Sequence, residues 1–287
     1  MHLGEKFKML RKQRRLTLKN ISKTTCSIAC LSEFENGKSS IATDILLHLL
    51  FDMLVDPSEF FDYTQLSQNT FIENAKIDLQ NAVSANNTEE ILKYAYSFEQ
   101  KYLSTHSYIY HIIYMDLALL CNTISRDSIN ENEELFIKEL TDYFVSIEFW
   151  TVIDIGLFGN IAEYFTSPIL IIIFKELAHQ LSETPISGRD RVIIDTMINC
   201  YFIICKRRDK AEAHYMHSFF KKLLLSNEFM NQIILIKFSD IIYQYLWCDK
   251  QSAEKEVNSF IDAISYIQSD TEALEWKRFF FSIVQDE

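Results

Sequence analysis

The sequence predicts an all-α protein. It contains only five glycines and three prolines in 287 residues, and neither type occurs between Pro57 and Gly156. Sheet proteins need turn residues far more often than this, so the scarcity favours helices joined by short polar loops. Apolar residues also recur at helical spacing along most of the chain. We therefore expect a compact helical domain over residues 1–65 and stacked helix pairs, an α-solenoid, over residues 66–287.

Composition and charge narrow the class of protein. No apolar run approaches the roughly 18 residues of a membrane span, and the N-terminus lacks a signal-peptide core. We therefore expect a cytoplasmic protein that does not bind membranes, with its six cysteines reduced. The net charge is −12, yet residues 1–40 contain nine Lys and Arg against three acids. A basic end on an acidic chain is typical of contact with nucleic-acid phosphates at that end only.

Five short helices are expected in the first domain. The first covers residues 3–13, where Leu3, Phe7 and Leu10 recur at helical spacing. Thr17 is expected to cap the second helix, which runs to residue 24.

The third helix is expected to begin after the capping residue Ser27 and to end at Asn36-Gly37. A fourth helix covers about 43–53, and Asp56-Pro57 opens a fifth over 57–63, with proline in the first turn. The segment from Ser27 to Gly37 has the length and the flanking residues of the groove-entering helix of a helix-turn-helix.

Longer helices, rich in Phe, Tyr and Ile, are expected in the second domain. Their expected ranges are 68–85, 88–103, 106–124, 131–146, 148–165, 168–182, 188–205, 209–225, 228–247, 251–267 and 270–284. The tetratricopeptide consensus is not visible, so any repeats are degenerate. An irregular helical bundle is the alternative architecture.

Several phrases in the sequence carry a family resemblance. Residues 3–61 resemble the helix-turn-helix of the XRE class, with Gly4, Leu10-Arg11 and Arg14-Arg15-Leu16-Thr17 leading into the motif. The phrase Leu31-Ser32-x-Phe34-Glu35-x-Gly37 and the closing Ser58-Glu59-Phe60 are similar to the Rgg/GadR/MutR regulators of Gram-positive bacteria. A looser similarity continues through Glu148-Phe149-Trp150, Asn160 and residues 198–202.

This resemblance implies a DNA-binding transcriptional regulator that acts as a homodimer. It further implies that a tetratricopeptide-like C-terminal domain binds a short, re-imported peptide pheromone, as in quorum sensing. The alternative is a helical adaptor for protein partners with a weak or vestigial DNA-binding domain.

Candidate DNA contacts fall into two groups. The base-reading candidates on the third helix are Ser27, Ile28, Ala29, Cys30, Ser32 and Glu33. The phosphate-contact candidates are Arg11, Arg14, Arg15, Lys19, Lys23 and Lys38. The family pattern also suggests that Glu35 pairs with Arg11.

Two of the base-reading positions depart from the family. Cys30 and Glu33 stand where its members usually carry Gln and Arg, the natural readers of adenine and guanine. Two interpretations remain open. In the first, the operator differs, and Glu33 reads cytosine or faces Lys38. In the second, DNA binding is weak and depends strongly on dimerisation. A redox role for Cys30 is a further possibility.

Peptide-binding candidates come from the second domain. Asn160 and Asn199 are expected in the middle of helices, where asparagine is unfavourable unless its side chain has a function. An amide can both donate to and accept from a peptide backbone. Arg126, Arg189 and Arg191 are candidates for an acidic group of the ligand. Trp150, Tyr164 and Phe202 are candidates for lining an apolar groove.

No pattern in the chain points to catalysis. The sequence lacks a Gly-rich phosphate loop, a Gly-x-Ser-x-Gly motif and a convincing carboxylate pair, and its histidines form no metal signature. We expect no enzymatic activity, no metal and no cofactor.

Overall fold

The computed structural model describes residues 2–22, 26–61, 71–125, 132–181 and 188–285, without the side chains of 71–77. The regular secondary structure in these ranges is helical throughout, which confirms the predicted all-α class. Contacts between Cα atoms divide the chain into two compact units, Met1–Asn81 and Ala82–Glu287. The predicted boundary at residues 65 and 66 lies outside the described residues, so it stays a prediction.

Five short helices form the described part of the first unit up to residue 61. They are α1 (Leu3–Gln13), α2 (Leu18–Ile21), α3 (Ile28–Glu35), α4 (Thr43–Asp52) and α5 (Pro57–Phe60), followed by α6 (Phe71–Ser84). The predicted caps Thr17 and Ser27 are confirmed, since each accepts a backbone N–H of the first turn that follows. Asp56 caps the fifth helix in the same way. The predicted second helix is shorter than expected, and residues 23–25 lie outside the described chain.

A closely packed core holds these helices together. Phe7, Leu31, Leu49, Leu50 and Phe60 are all fully buried in it.

The approach of α1 to α3 depends on one glycine. A Cβ atom added at Gly4 would lie 1.8 Å from the carbonyl oxygen of Phe34. Gly37 ends the third helix with φ +69°, the left-handed conformation that glycine adopts without strain.

The helices of the second unit are longer. They are α7 (Thr88–Thr105), α8 (Tyr108–Ser125), α9 (Glu133–Ser146), α10 (Val152–Asn160), α11 (Ser167–Gln180), α12 (Gly188–Lys206), α13 (Lys210–Phe220), α14 (Met230–Trp247), α15 (Lys250–Ile267) and α16 (Asp270–Val284). Short 3-10 helices occupy Ala162–Tyr164 and Asn227–Phe229. No helix in the described ranges is both long enough and apolar enough to cross a membrane.

These helices stack in two layers. Helices α8, α10, α12, α14 and α16 contact one another in that order, and α9, α11 and α13 contact one another in the other layer. Most consecutive helices also pack together across the layers. This is the contact pattern of an α-solenoid, which confirms the predicted architecture for the described part of this unit, and the last helix, α16, also packs against α12.

Two expected helices are shorter in the structure. The single helix predicted over 148–165 is wrong, because Thr151 caps a helix that starts at Val152 and ends at Asn160. Beyond that end, the guanidinium of Arg207 donates to the carbonyl oxygens of Glu163 and Phe165, at 2.7 Å each. The charged side chain thereby satisfies backbone groups that the broken helix leaves open. The helix predicted over 209–225 similarly ends at Phe220.

Candidate functional site

The N-terminal face of α3 is open to solvent. Ile28 is 47% exposed, and Ser27, Ala29 and Glu33 are also exposed, while Cys30 and Ser32 are half-buried. Leu31 and Phe34 on the opposite face anchor the helix in the core. The base-reading candidates therefore share one accessible surface on a helix whose other side is fixed.

Four of the predicted phosphate contacts are exposed cations. Arg14, Arg15, Lys19 and Lys38 lie at the surface of the first unit. Lys23 lies outside the described residues. Exposed cations on the same unit as the exposed face of α3 are suited to phosphate contact, which fixes register without reading sequence.

Arg11 does not belong with these cations, which corrects the sequence analysis. Its side chain is buried, and its Nε and Nη2 donate to the two Glu35 carboxylate oxygens at 2.5 and 2.7 Å. Its Nη1 donates to the carbonyl oxygen of Leu16 at 2.6 Å. The Glu35 hydrogen bond raises the pKa of Arg11, against the opposing effect of burial. Arg11 is thus an interior structural residue, and the suggested pairing with Glu35 is confirmed.

Glu33 has no ion-pair partner among the described residues. The Lys38 backbone N–H donates to the Glu33 carbonyl oxygen at 2.9 Å, and this contact does not involve the two side chains. Lys38 therefore does not neutralise the Glu33 carboxylate here, and an exposed negative charge stands on the face that would enter a groove.

Three separate hydrogen bonds link neighbouring helices in one layer of the second unit. The Asn160 amide at the end of α10 donates to Asp116 Oδ2 on α8 at 3.0 Å. The Asn199 amide on α12 donates to the carbonyl oxygen of Gly159 at 3.2 Å, and Gln232 on α14 donates to Asp195 on α12 at 2.8 Å. We refer to Asp116, Asn160, Asn199, Asp195 and Gln232 as the polar stripe.

Part of the polar stripe is exposed to solvent. Asn160, Asn199 and Asp195 lie at the surface, whereas Asp116 and Gln232 are buried beneath it. Val152 and Ile153 on α10 are 48% and 51% exposed. Exposed amides on the same helix as exposed apolar side chains offer both backbone hydrogen bonds and side-chain contacts.

Asn160 needs one correction. It is the last residue of α10 rather than a mid-helix residue, while Asn199 lies inside α12 as predicted. Its exposure and its Asp116 contact keep it among the candidates.

Two aromatic candidates do not line a surface. Trp150 is fully buried and stacks on Phe144, and Phe202 is 7% exposed and packs edge-on against Phe238 and Phe279. Both belong to the core, because aromatic enrichment alone does not tell which face a side chain takes. Tyr164 is half-buried, and its hydroxyl donates to the Leu119 carbonyl oxygen at 3.2 Å.

The arginine candidates differ from one another. Arg189 already donates to the carbonyl oxygen of Trp150 and to both oxygens of Gln180, so its guanidinium holds the start of α10. Arg191 is exposed, donates to the carbonyl oxygen of Glu228 and lies over the Phe229 ring. Arg126 lies outside the described residues.

Three residues of the stripe were missed by sequence reasoning. Asp116 had a signal, since it is the single charged residue in the apolar run 112–121. Asp195 and Gln232 had none, because their pairing depends on how α12 meets α14. In the described residues no cluster of three or more His, Cys, Asp or Glu side chains could hold a metal ion.

Comparison with known proteins identifies the family. The family model of the C-terminal domain of the HTH-type transcriptional regulator Rgg matches residues 94–278. The structure of the Streptococcus dysgalactiae SHP pheromone receptor Rgg2 aligns with a TM-score of 0.76 and 17% identity, covering 98% of this chain and 100% of that one. A Listeria monocytogenes EGD-e protein aligns at TM-score 0.79 and 16% identity, covering 98% of both chains.

A third solved structure, PrgX in complex with iCF10, aligns at TM-score 0.79 and 15% identity, covering 98% of this chain and 96% of PrgX. At these identities the solved structures establish the shared fold, whereas the match to the family model establishes membership of the family. Because the matched residues make up more than half of the sequence, the protein belongs to the Rgg family of helix-turn-helix transcriptional regulators.

Proposed function

We propose that this regulator binds double-stranded DNA through the exposed face of α3 and is controlled by a short signalling peptide bound along the polar stripe. The observation that carries the proposal is the stripe itself, which joins α8, α10, α12 and α14 and exposes Asn160 and Asn199. Two proteins of the same fold support it, since Rgg2 is described as a pheromone receptor and PrgX was solved with iCF10.

The stripe suits a peptide because its exposed groups are amides. An asparagine side chain offers one acceptor and one donor, the complement of a peptide unit. Val152 and Ile153 would take apolar side chains of the ligand, and Arg191 an acidic group.

We further propose that the protein works in the cytosol as a homodimer. Tyr266 and Ile267 at the end of α15 are 93% and 73% exposed, and Leu274 on α16 is 47% exposed. Large exposed apolar side chains in one region are typical of a protein–protein interface. Light scattering should give twice the 33.8 kDa mass of one chain.

Peptide control then follows from differential affinity. A peptide that binds one arrangement of the dimer better than another shifts the population toward it, and the DNA affinity changes with that population.

Glu33→Gln should bind random-sequence DNA more tightly than the wild-type protein, by roughly 3- to 10-fold, because a carboxylate facing phosphates is removed. The measurement is a salt titration of fluorescence anisotropy with a random duplex and with the DNA upstream of the protein's own gene. Asp52→Asn, an exposed acid on α4, is the matched control and should change little.

The same titration tests DNA binding itself. The wild-type affinity should fall steeply with salt on both duplexes. If the intact protein fails to bind either duplex at low salt, the helical-adaptor alternative is favoured instead. If Glu33→Gln weakens binding to the upstream DNA while tightening binding to the random duplex, Glu33 reads a base.

The double variant Asn160→Ala/Asn199→Ala should lose peptide affinity by about tenfold or more, since each amide contributes about 1 kcal/mol of hydrogen bonding. The probe is the tightest binder selected from a library of short synthetic peptides on the wild-type protein, measured by calorimetry. Asn258→Ala, an exposed asparagine on α15, is the control. Equal affinities of all three proteins would place the peptide elsewhere, and the absence of any binder would contradict peptide control.

A further inference from the structure

One buried member of the polar stripe, on α8, is a carboxylic acid. Asp116 is 0% exposed and is flanked along the helix by the buried Met115 and Leu117. Its Oδ2 accepts the amide hydrogen of Asn160, and its Oδ1 has no hydrogen-bond partner among the described residues. A buried acid with one oxygen unpaired is energetically costly.

The chemistry of the pair links the acid to the surface. An ionised carboxylate can only accept hydrogen bonds, so it holds the Asn160 NH₂ group inward and turns the Asn160 oxygen outward. A protonated acid carries a donor as well. Its O–H would stay unpaired in the interior unless the Asn160 amide turned, accepted that proton and presented NH₂ outward.

We propose that Asp116 is a positioning residue whose protonation decides whether Asn160 presents an acceptor or a donor to the backbone of a bound peptide. This inference rests on the proposed peptide site and adds a specificity-determining residue to it. Asp116 itself is buried and meets no ligand. It acts only through the hydrogen bond that joins it to the exposed Asn160.

The surroundings of Asp116 favour its protonated form. Burial raises the pKa of its carboxyl group well above the ordinary value, and the Asn160 hydrogen bond lowers it only in part. As the pH rises through this raised pKa, the acid loses its proton and the acceptor orientation of Asn160 is fixed. As the pH falls, the donor orientation becomes favourable.

Several titratable groups on the helices packed against α8 have partners other than Asp116. On α9, Tyr143 donates to Asp154 of α10, Glu139 lies 3.5 Å from His111 of α8, and Glu133 accepts from Asn122 of α8. On α7, Glu90 pairs with Lys93. Beyond α10, the Tyr164 hydroxyl donates to Leu119. None of these charges contributes to the shift of Asp116, whose causes are burial and Asn160.

The test compares the pH profiles of peptide affinity for the wild-type protein and for Asp116→Asn. The probe is the library-selected peptide in a version without titratable side chains. The asparagine at 116 carries a donor and an acceptor at every pH, as the protonated acid does, so its profile should lack the Asp116 transition. The wild-type affinity should match that of Asp116→Asn at acid pH and depart from it, by fivefold or more, as the pH rises through the Asp116 transition.

A second variant, Asp116→Leu, tests whether Asp116 acts by orienting Asn160. Asp116→Leu removes the acceptor, so Asn160 loses its fixed orientation and the peptide affinity should fall at all pH values. A peptide affinity with the same pH profile in all three proteins would overturn the inference while leaving the peptide site intact.

A measurement without peptide distinguishes failure of the Asp116 inference from failure of the proposed peptide site. In full-length protein labelled with ¹⁵N-asparagine, the Asn160 side-chain signal, assigned by its loss in Asn160→Ala, should shift with pH in the wild-type protein. It should not shift in Asp116→Asn. A shift seen in a protein that binds no peptide would contradict the proposed function alone, and an unshifted signal would overturn the inference.

Discussion

Gly4→Ala should unfold the DNA-binding unit or loosen it severely, with a loss of about 3 kcal/mol or more and of DNA binding with it. The new Cβ atom would lie 1.8 Å from the Phe34 carbonyl oxygen and 3.2 Å from the Glu35 Cα. These are backbone atoms of α3, so no side chain can turn away to relieve the clash. The two helices must separate, and the core around Phe7 opens.

Hydrogen exchange of the full-length variant measures this effect where it occurs. Amides of α1 and α3 should lose protection, while those of α12 in the second unit serve as an internal reference. Gly156→Ala is the matched control, since no atom lies within 4 Å of its added Cβ and alanine favours a helix by up to about 1 kcal/mol. Wild-type protection of α1 and α3 in Gly4→Ala would show that the helices are not packed this closely.

Gly4 also illustrates which parts of the fold the sequence could reveal. Helix caps are local, and Ser27, Asp56 and Gly37 took the roles that their residue types predict. The close approach at Gly4 is not local, because it depends on the position of Phe34, thirty residues away in the chain. A glycine near the start of a helix carries no sign of that neighbour.

The break in the helix after Asn160 also depends on a residue that is distant in the sequence. Apolar periodicity continues through residues 148–165, so the pattern predicts one helix. The structure interrupts it because Arg207 reaches the carbonyl oxygens of Glu163 and Phe165 from the end of α12. The partner that makes the break stable is more than forty residues distant, and no local signal announces it.

In the candidate sites too, local patterns predict some features, while others depend on the assembled fold. Exposure of the α3 face follows from the burial of Leu31 and Phe34 on its other side, which helical spacing predicts. Asparagine is unfavourable inside helices, which draws attention to Asn160 and Asn199, yet only Asn199 lies inside a helix. Trp150 and Phe202 could not be assigned to core or surface from composition, since aromatic residues fill both. Their burial is a property of the assembled layers.

Glu35→Leu should destabilise the first unit by about 3–5 kcal/mol, because it leaves the Arg11 guanidinium buried without a counterion. Glu35 is 2% exposed and Arg11 is 7% exposed, so water cannot replace the lost carboxylate. Arg11→Leu should cost a similar amount for the reciprocal reason. The double variant Arg11→Leu/Glu35→Leu should be much closer to the wild-type protein, since packed apolar side chains often replace a buried ion pair at little cost.

A double-mutant cycle by denaturant unfolding, read on the first unit, measures this coupling. The same variants decide between an interior and a phosphate-binding role for Arg11. The double variant should keep the wild-type salt dependence of DNA binding, whereas Arg14→Gln, which removes an exposed cation, should reduce the log–log slope by about 1. Additive losses of unfolding free energy in the cycle would show that Arg11 and Glu35 do not stabilise the unit as a pair. A reduced slope in the double variant would return Arg11 to the phosphate contacts, so stability and DNA binding test the assignment independently.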